Sequence, residues 1–268
     1  MPDRYAVIGN PVAHSRSPWI HAQFARATGQ DIDYLRIEAP LDAFAHVLDE
    51  FRGAGGRGAN VTLPFKEQAF RYCVELSARA REARAVNTLV LDRGAPYGDN
   101  TDGVGLLRDL SVNLGRTLVG KRVLLMGAGG AAQGVVGPLA AAGVARLVIA
   151  NRTPQRARAL AARFPAAPLE ACGYDALAGE AFDLVINATS AAITGSLPPL
   201  PAGLFRPGAL AYDMLYGRDT AFLAFARAAG AATCDGSGMV VEQAAESFFI
   251  WRGVRPATAA VLAALRAG

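Results

Sequence analysis

Lysine is almost missing from this chain. Of 27 basic residues in 268, only Lys66 and Lys121 are lysines. Arginine stays protonated, whereas a lysine can be tuned to give and take a proton, so a lysine kept among so many arginines marks a place where arginine will not serve. Lys121 sits just before an apolar run and reads as surface, which leaves Lys66. Cysteine is also scarce. Cys73, Cys172 and Cys234 are far apart and odd in number, which gives neither a disulfide framework nor a metal spacing and fits a reducing cytosol. The three histidines, His14, His21 and His46, are isolated and read as surface or packing residues, so no metal is expected.

Other absences narrow the class further. No charged stripe interleaved with aromatics is present, and the formal net charge is only +4, so nucleic acid is not an expected partner. That mild basic balance suits small anions such as nucleotides and carboxylates. The longest apolar stretch, residues 135–150, carries Pro138 and Arg146 and reads as a helix plus a strand, not a membrane span. The N-terminus runs directly into Ala6-Val7-Ile8 without a basic start and cleavage site, so no signal peptide and a cytoplasmic location are expected. Neither a repeat nor a low-complexity linker appears, so a domain boundary is expected in a helix or tight turn.

What is present alternates between two periods. Short strands are expected at residues 5–8, 33–37, 59–62, 86–91 and 97–100, with helices at 18–27, 41–51 and from Pro64. Ser17 is expected as the N-cap of the first helix, with Pro18 at its first position. A second unit follows: helix 102–114, strand 122–126, a glycine loop at 127–130, helix 131–142, strand 146–150, helix 154–163, then strands 184–187 and 210–214. The tail reads as helices 240–251 and 256–266. Strands alternating with helices imply parallel sheets covered on both faces.

The segment from Val123 to Ala132 is strand, then Gly127-Ala128-Gly129-Gly130-Ala131-Ala132, then helix. The first glycine makes the tight turn, the second admits a pyrophosphate, and the small Ala132 allows close helix–strand packing, with helix N–H groups facing the phosphates. A bare glycine-rich βα turn would look similar; the order strand, loop, helix, second strand favours a dinucleotide. An NAD-type site carries Asp or Glu at the end of the second strand. None is present; the strand ends in Asn151-Arg152-Thr153, with Arg156 one turn on. Asn151 can bond the ribose, while Arg152, Thr153 and Arg156 can hold a 2′-phosphate. Cations at a helix start are disfavoured unless an anion binds there, so NADP(H) is the expected cofactor.

Polar blocks cluster where strands of the first unit end: residues 10–18, Asn60 to Glu67, Ala85-Val86-Asn87-Thr88, and Gly98 to Gly103. Together with Gly127-Ala128-Gly129-Gly130, Asn151-Arg152-Thr153, Asp213-Met214-Leu215-Tyr216 and Gly238 to Ala244, they closely resemble the shikimate dehydrogenase family over essentially the whole chain. The resemblance implies reversible NADPH-dependent reduction of 3-dehydroshikimate to shikimate, in chorismate and aromatic amino-acid biosynthesis. It also implies roles by matching position. Ser15 and Ser17 would bond the substrate carboxylate, with Tyr216 at the same end. Thr62, Asn87, Asp102 and Gln243 would contact ring hydroxyls, and Lys66 with Asp102 would form the catalytic pair. Gly127, Ala128, Gly129, Gly130, Ala131, Asn151, Arg152, Thr153 and Arg156 would hold the cofactor, and Met214 and Gly238 would lie near its nicotinamide.

The chemistry agrees with that pairing, because hydride transfer to a ketone creates an alkoxide that needs a proton. Plainer readings stand beside it: Lys66 as an exposed helix lysine, Asp102 as an N-cap. A quinate/shikimate dehydrogenase using NAD and a non-catalytic NADP-binding sensor are the competing functions. The expected architecture is α/β, with an N-terminal substrate domain at residues 1–101 and a Rossmann-type domain at 102–237. C-terminal helices at 238–268 return to the first domain, and a cleft lies between domains. The protein is expected to be a monomer or homodimer, with neither nucleic acid nor membrane as partner.

Overall fold

A computed structural model describes residues 1–165, 167–189, 191 and 195–267. The chain divides into two compact units, residues 1–106 with 240–268, and residues 107–239. Both crossings fall inside helices, one within Asp102–Arg108 and the other within Ser237–Arg252. The first lies a few residues beyond the expected position at 101/102, because the helix that opens the second unit starts in the first. Residue 268, the end of the expected C-terminal segment, lies outside the described residues.

The first unit holds β1 (Asp3–Gly9), α1 (Ser17–Thr28), β2 (Ile32–Glu38), α2 (Phe44–Gly53), β3 (Gly56–Val61) and α3 (Lys66–Tyr72). It continues with β4 (Glu75–Leu76), α4 (Ala78–Ala83), β5 (Thr88–Val90), β6 (Tyr97–Asp99) and the start of α5 (Asp102–Arg108). Its sheet order is β2-β1-β3-β5-β6-β4. It is mixed rather than parallel throughout, since β5 runs antiparallel to both β3 and β6. The short turn after residue 91 permits the antiparallel β5–β6 pair, whereas a parallel neighbour would need a long crossover.

Period-two alternation covers both faces of β1. Ala6 and Ile8 join a core with Leu48, Phe51, Phe65 and Leu89, while Tyr5 and Val7 face Val12 and Tyr34. The C-terminal helices α9 (Ser237–Arg252) and α10 (Ala259–Ala267) pack Val241, Phe248 and Leu262 against Ile20 and Phe24 of α1. Trp251 of α9 stacks on Tyr5 at 4.6 Å between ring centroids and donates its indole N–H to the Leu89 carbonyl at 2.9 Å. Contrary to expectation Ser17 is not an N-cap: α1 begins at Ser17, Arg16 occupies the cap without a side-chain bond, and the Ser17 hydroxyl is engaged by Ser15.

The second unit contains β7 (Arg122–Met126), α6 (Gly130–Ala141), β8 (Arg146–Ala150), α7 (Pro154–Ala161) and β9 (Leu169–Cys172). It also contains β10 (Phe182–Asn187), β11 (Phe205–Asp213), α8 (Ala221–Ala228) and β12 (Ala232–Cys234). All six strands are parallel, in the order β12-β11-β10-β7-β8-β9. The order reverses between β7 and β10, a topological switch point of the kind at which open α/β sheets bind ligands. Helix 102–114 is interrupted: α5 passes into a π-helical turn, Asp109–Asn113. Among the described residues no helix is long and apolar enough to cross a membrane.

Candidate active site

Strand direction gathers the polar blocks of the first unit at one sheet edge. The parallel strands β1 and β3 end there, antiparallel β5 starts there, and β6 ends there; the register sets Asn60, Thr88 and Asp99 side by side. Backbone bonds continue the alignment past the strands, from Thr62 N–H to the Ile8 carbonyl at 2.9 Å and from Asn87 N–H to the Asp99 carbonyl at 3.0 Å.

Lys66 is the first residue of α3. Phe65, fully buried and stacked on Phe44 at 4.9 Å, anchors the helix start, and the Lys66 carbonyl accepts from Val86 N–H at 2.9 Å. A cation at a helix N-terminus is unfavourable, and here an anion compensates it. Lys66 Nζ lies 2.5 Å from Asp102 Oδ2, with side-chain exposures of 13% and 6%. Removing one member of so sheltered a pair would strand the other charge. Asp102 opens α5, and its other oxygen accepts from Asn87 Nδ2 at 2.8 Å. Gln243, from α9, brings Oε1 to 3.3 Å from both Asn87 Nδ2 and Thr101 Oγ1. Lys66, Asn87, Asp102 and Gln243 are therefore one connected group.

Behind this group Asp99 fixes the loop that carries Asp102. It accepts from Arg79 Nε at 2.6 Å, Ser77 Oγ at 2.5 Å and the Asn100 N–H at 2.7 Å, and Asn100 Oδ1 accepts from the Asp102 N–H at 3.1 Å. Arg79 also bridges to Glu246 of α9 at 3.0 Å. Burial alone would raise the Glu246 carboxyl, but hydrogen bonds from Arg255 and Arg79 outweigh it and hold it below the usual carboxylate range. Ser15 and Ser17 are both buried and bonded to each other at 3.2 Å, and Arg36 donates twice to the Ser15 carbonyl. Thr62 is half-buried, directly after β3. Ser15, Ser17 and Thr62 share no hydrogen bond with the Lys66 group among the described residues.

In the second unit Gly127 directly follows β7 at the switch point. Its φ of +109° is one that only glycine adopts without strain, and a Cβ there would lie 2.9 Å from the Ala188 carbonyl oxygen. The helix after it starts at Gly130, where first-turn N–H groups have no partner in the backbone ladder and a helix start favours an anion. Beyond β8, Asn151 Nδ2 donates to the Thr153 carbonyl at 3.0 Å. Arg152 and Arg156 are exposed around the start of α7, and neither has an acidic partner among the described residues. The residues that follow β8, Asn151-Arg152-Thr153, include no carboxylate, which fits a phosphorylated ribose.

The loop carrying Met214 and Tyr216 is pegged by Asp213. Its carboxylate accepts from Asn187 Nδ2 at 3.1 Å, Thr220 Oγ1 at 2.7 Å and the Leu215 N–H at 3.0 Å, while burial raises its pKa. Met214 and Tyr216 are both half-buried. Gly238 has a packing reason to be glycine: a Cβ would fall 1.8 Å from Asp109 Oδ1. Asp109 is fully buried and accepts from Tyr212 Oη at 2.6 Å; burial and this neighbouring carboxylate raise the Tyr212 phenol well above its ordinary value. Sequence reasoning passed over Asn187 and Thr189 at the end of β10, on the other side of the switch point, where Asn187 Oδ1 accepts from both the N–H and hydroxyl of Thr189. The strand-end rule that flagged the first unit would have found them.

Comparison with known proteins gives three family models in chain order. Residues 7–89 match the shikimate dehydrogenase substrate binding domain, residues 110–194 match shikimate / quinate 5-dehydrogenase, and residues 236–266 match the shikimate 5'-dehydrogenase C-terminal domain. The chain is 58% identical to shikimate dehydrogenase (NADP(+)) of Dechloromonas aromatica, covering 100% of this chain and 98% of that one. Among solved structures it is similar to an Ael1 enzyme from Pseudomonas putida, at 49% identity and a TM-score of 0.91 over 98% of each chain. It is also similar to shikimate 5-dehydrogenase from Thermus thermophilus in complex with NADP(H) and shikimate, at 38% identity and a TM-score of 0.88 over 100% of this chain and 99% of that one.

Proposed function

The chain belongs to the NADP-dependent shikimate dehydrogenase family, and from that premise we propose that it reduces 3-dehydroshikimate reversibly to shikimate, with Lys66 as proton donor and Asp102 as its partner. The observation that carries this reading is the sheltered Lys66–Asp102 pair at 2.5 Å at the edge of the first sheet where β1 and β3 end.

When bound, a reduced nicotinamide would supply the hydride that the carbonyl carbon takes up. The carbonyl oxygen then gains negative charge, and the Lys66 ammonium gives it a proton in the same step. Lys66 is left neutral and regains its proton from solvent; in the reverse direction the neutral amine takes the hydroxyl proton. Asp102 holds the ammonium in place and, once Lys66 is neutral, keeps an acceptor directed at the substrate. The rigid positioning of both groups by Phe65, Asn87 and Asn100 supports this role, since catalysis of proton transfer depends on preset geometry. Ser15, Ser17 and Tyr216 serve the substrate carboxylate, and Thr62, Asn87 and Gln243 serve its hydroxyls. Gly127 to Ala131 receive the pyrophosphate, with Met214 and Gly238 near the nicotinamide. Asn151 takes the ribose, and Arg152, Thr153 and Arg156 the 2′-phosphate.

The test is direct. The purified chain is assayed with shikimate and with quinate, each with NADP and NAD, by the absorbance of the reduced nicotinamide. Shikimate with NADP is expected to be the fastest pair by a wide margin. Preferred oxidation of quinate with NAD would overturn the assignment.

A further inference from the structure

Three buried hydroxyls lie behind the Lys66–Asp102 pair, and the proposed proton transfer uses none of them. Thr88 of β5, Thr101 and Ser247 of α9 are all at 0% exposure. Thr88 Oγ1 lies 2.8 Å from Ser247 Oγ and 3.3 Å from Thr101 Oγ1. Asn60 Nδ2 donates to Ser247 Oγ at 2.9 Å and reaches Thr88 Oγ1 at 3.3 Å.

The donors and acceptors give this cluster a direction. The Thr101 backbone N–H can only donate, and it donates to Asn87 Oδ1 at 2.8 Å. Asn87 Nδ2 must then face the other way, where Asp102 Oδ1 accepts at 2.8 Å. Asn87 Oδ1 also accepts from the Thr88 hydroxyl at 2.9 Å. A threonine hydroxyl has one proton. With that proton committed to Asn87, Thr88 Oγ1 can only accept, from Asn60 Nδ2 at 3.3 Å and from Ser247 Oγ when the Ser247 proton is not on the Gln243 carbonyl 3.0 Å away. Asn60 Oδ1 in turn accepts from Tyr34 Oη at 2.7 Å, so the chain of bonds ends in the aromatic core.

We propose that Thr88 is a positioning residue: its buried hydroxyl, oriented by Ser247 and Asn60, holds the Asn87 amide so that its N–H meets Asp102 and fixes the carboxylate that faces Lys66. This inference rests on the reading of Lys66 and Asp102 as the proton-transferring pair. Thr88 is fully buried and acts only through Asn87. Its loss removes no direct substrate contact but tilts the reacting pair and loosens Asn87, which also serves a substrate hydroxyl, so the effect falls mainly on kcat with a smaller rise in KM.

The experiment compares Thr88→Val, which keeps the shape and removes the hydroxyl, with Thr88→Ser, which keeps the hydroxyl. Lys66→Ala is run in parallel. A misplaced reacting group loses rate steeply, so Thr88→Val is expected to lower kcat about 10-fold, with the shikimate KM within about twofold of the parent. Thr88→Ser is expected to recover most of that loss. Ser247→Ala should lower kcat in the same direction and add little to Thr88→Val, because both break one chain of bonds. Equal losses in Thr88→Val and Thr88→Ser would assign the effect to packing and overturn the inference. Parental kcat in Thr88→Val with an inactive Lys66→Ala would also overturn it while leaving the proton donor intact. An active Lys66→Ala would instead refute the donor reading. Should Thr88→Val fail to fold, Ser247→Ala carries the test, and a parental kcat there refutes the inference.

Discussion

His21 should make this protein acid-labile. The ring is fully buried, neither nitrogen has a hydrogen-bond partner among the described residues, and it lies parallel to Tyr34 at 4.3 Å with Phe24, Phe248 and Trp251 around it. Burial pushes its pKa from 6.5 down to about 3; the nearby Asn60 amide opposes that shift without bonding to either nitrogen. The folded state thus holds a neutral imidazole, whereas the unfolded chain takes up a proton near pH 6.5. Below that value the unfolded state binds more protons, so stability falls as pH falls, and the loss levels off only near pH 3. At pH 5, 1.5 units below the unfolded value, the loss from this one side chain is about 2 kcal/mol at 1.36 kcal/mol per unit. Carboxylates also titrate on the way down, so the informative quantity is a difference. Urea unfolding of the parent and of His21→Phe at pH 7.5 and pH 5 isolates it. The parent should lose about 2 kcal/mol more than the variant over that range, whatever the repacking costs at neutral pH. Parallel losses in the two proteins would refute the claim that the buried ring stays neutral.

Three further outcomes follow from named contacts. Arg152→Ala removes a charge-assisted bond and should raise the NADPH KM about 10- to 100-fold while leaving the NADH KM nearly unchanged; equal effects on both would contradict a 2′-phosphate contact. In a helix interior alanine is ordinarily better than glycine by about 1 kcal/mol. Gly238→Ala should nonetheless destabilise by about 1–3 kcal/mol, because the new Cβ meets the Asp109 carboxylate; a higher Tm in this variant would overturn that packing argument. Arg79→Met leaves the buried Asp99 without its cation and Glu246 with Arg255 alone, and should cost about 3–5 kcal/mol in denaturant unfolding, with little change counting against the network.

Much of this was legible in local signals. The glycine loop announced itself because a tight turn with close backbone approach admits few residues, and Gly127 meets both demands. Lys66 stood out because arginine fills nearly every other cationic position, and Asp102 through the family resemblance. The mixed order of the first sheet was harder to read, since nothing in residues 86–100 states that β5 opposes β3. The strands β4, β9 and β12, two to four residues long, were not anticipated because so short a run has no readable period; α4 and α8 were also passed over. Ser17 looked like a cap by residue type, but its hydroxyl is engaged by Ser15. The Thr88–Thr101–Ser247 cluster was out of reach for a different reason. Its members lie up to 159 positions apart, and only the folded sheet and the returning helix bring them together.

The central claim is that Lys66 supplies the proton that accompanies the hydride. Lys66→Ala, measured for kcat and for shikimate affinity in the same preparation, tests it most directly. A lost general acid should lower kcat by about 10²–10⁴-fold while shikimate binds nearly as before. Near-parental turnover in this variant, or a loss confined to shikimate binding, would contradict it.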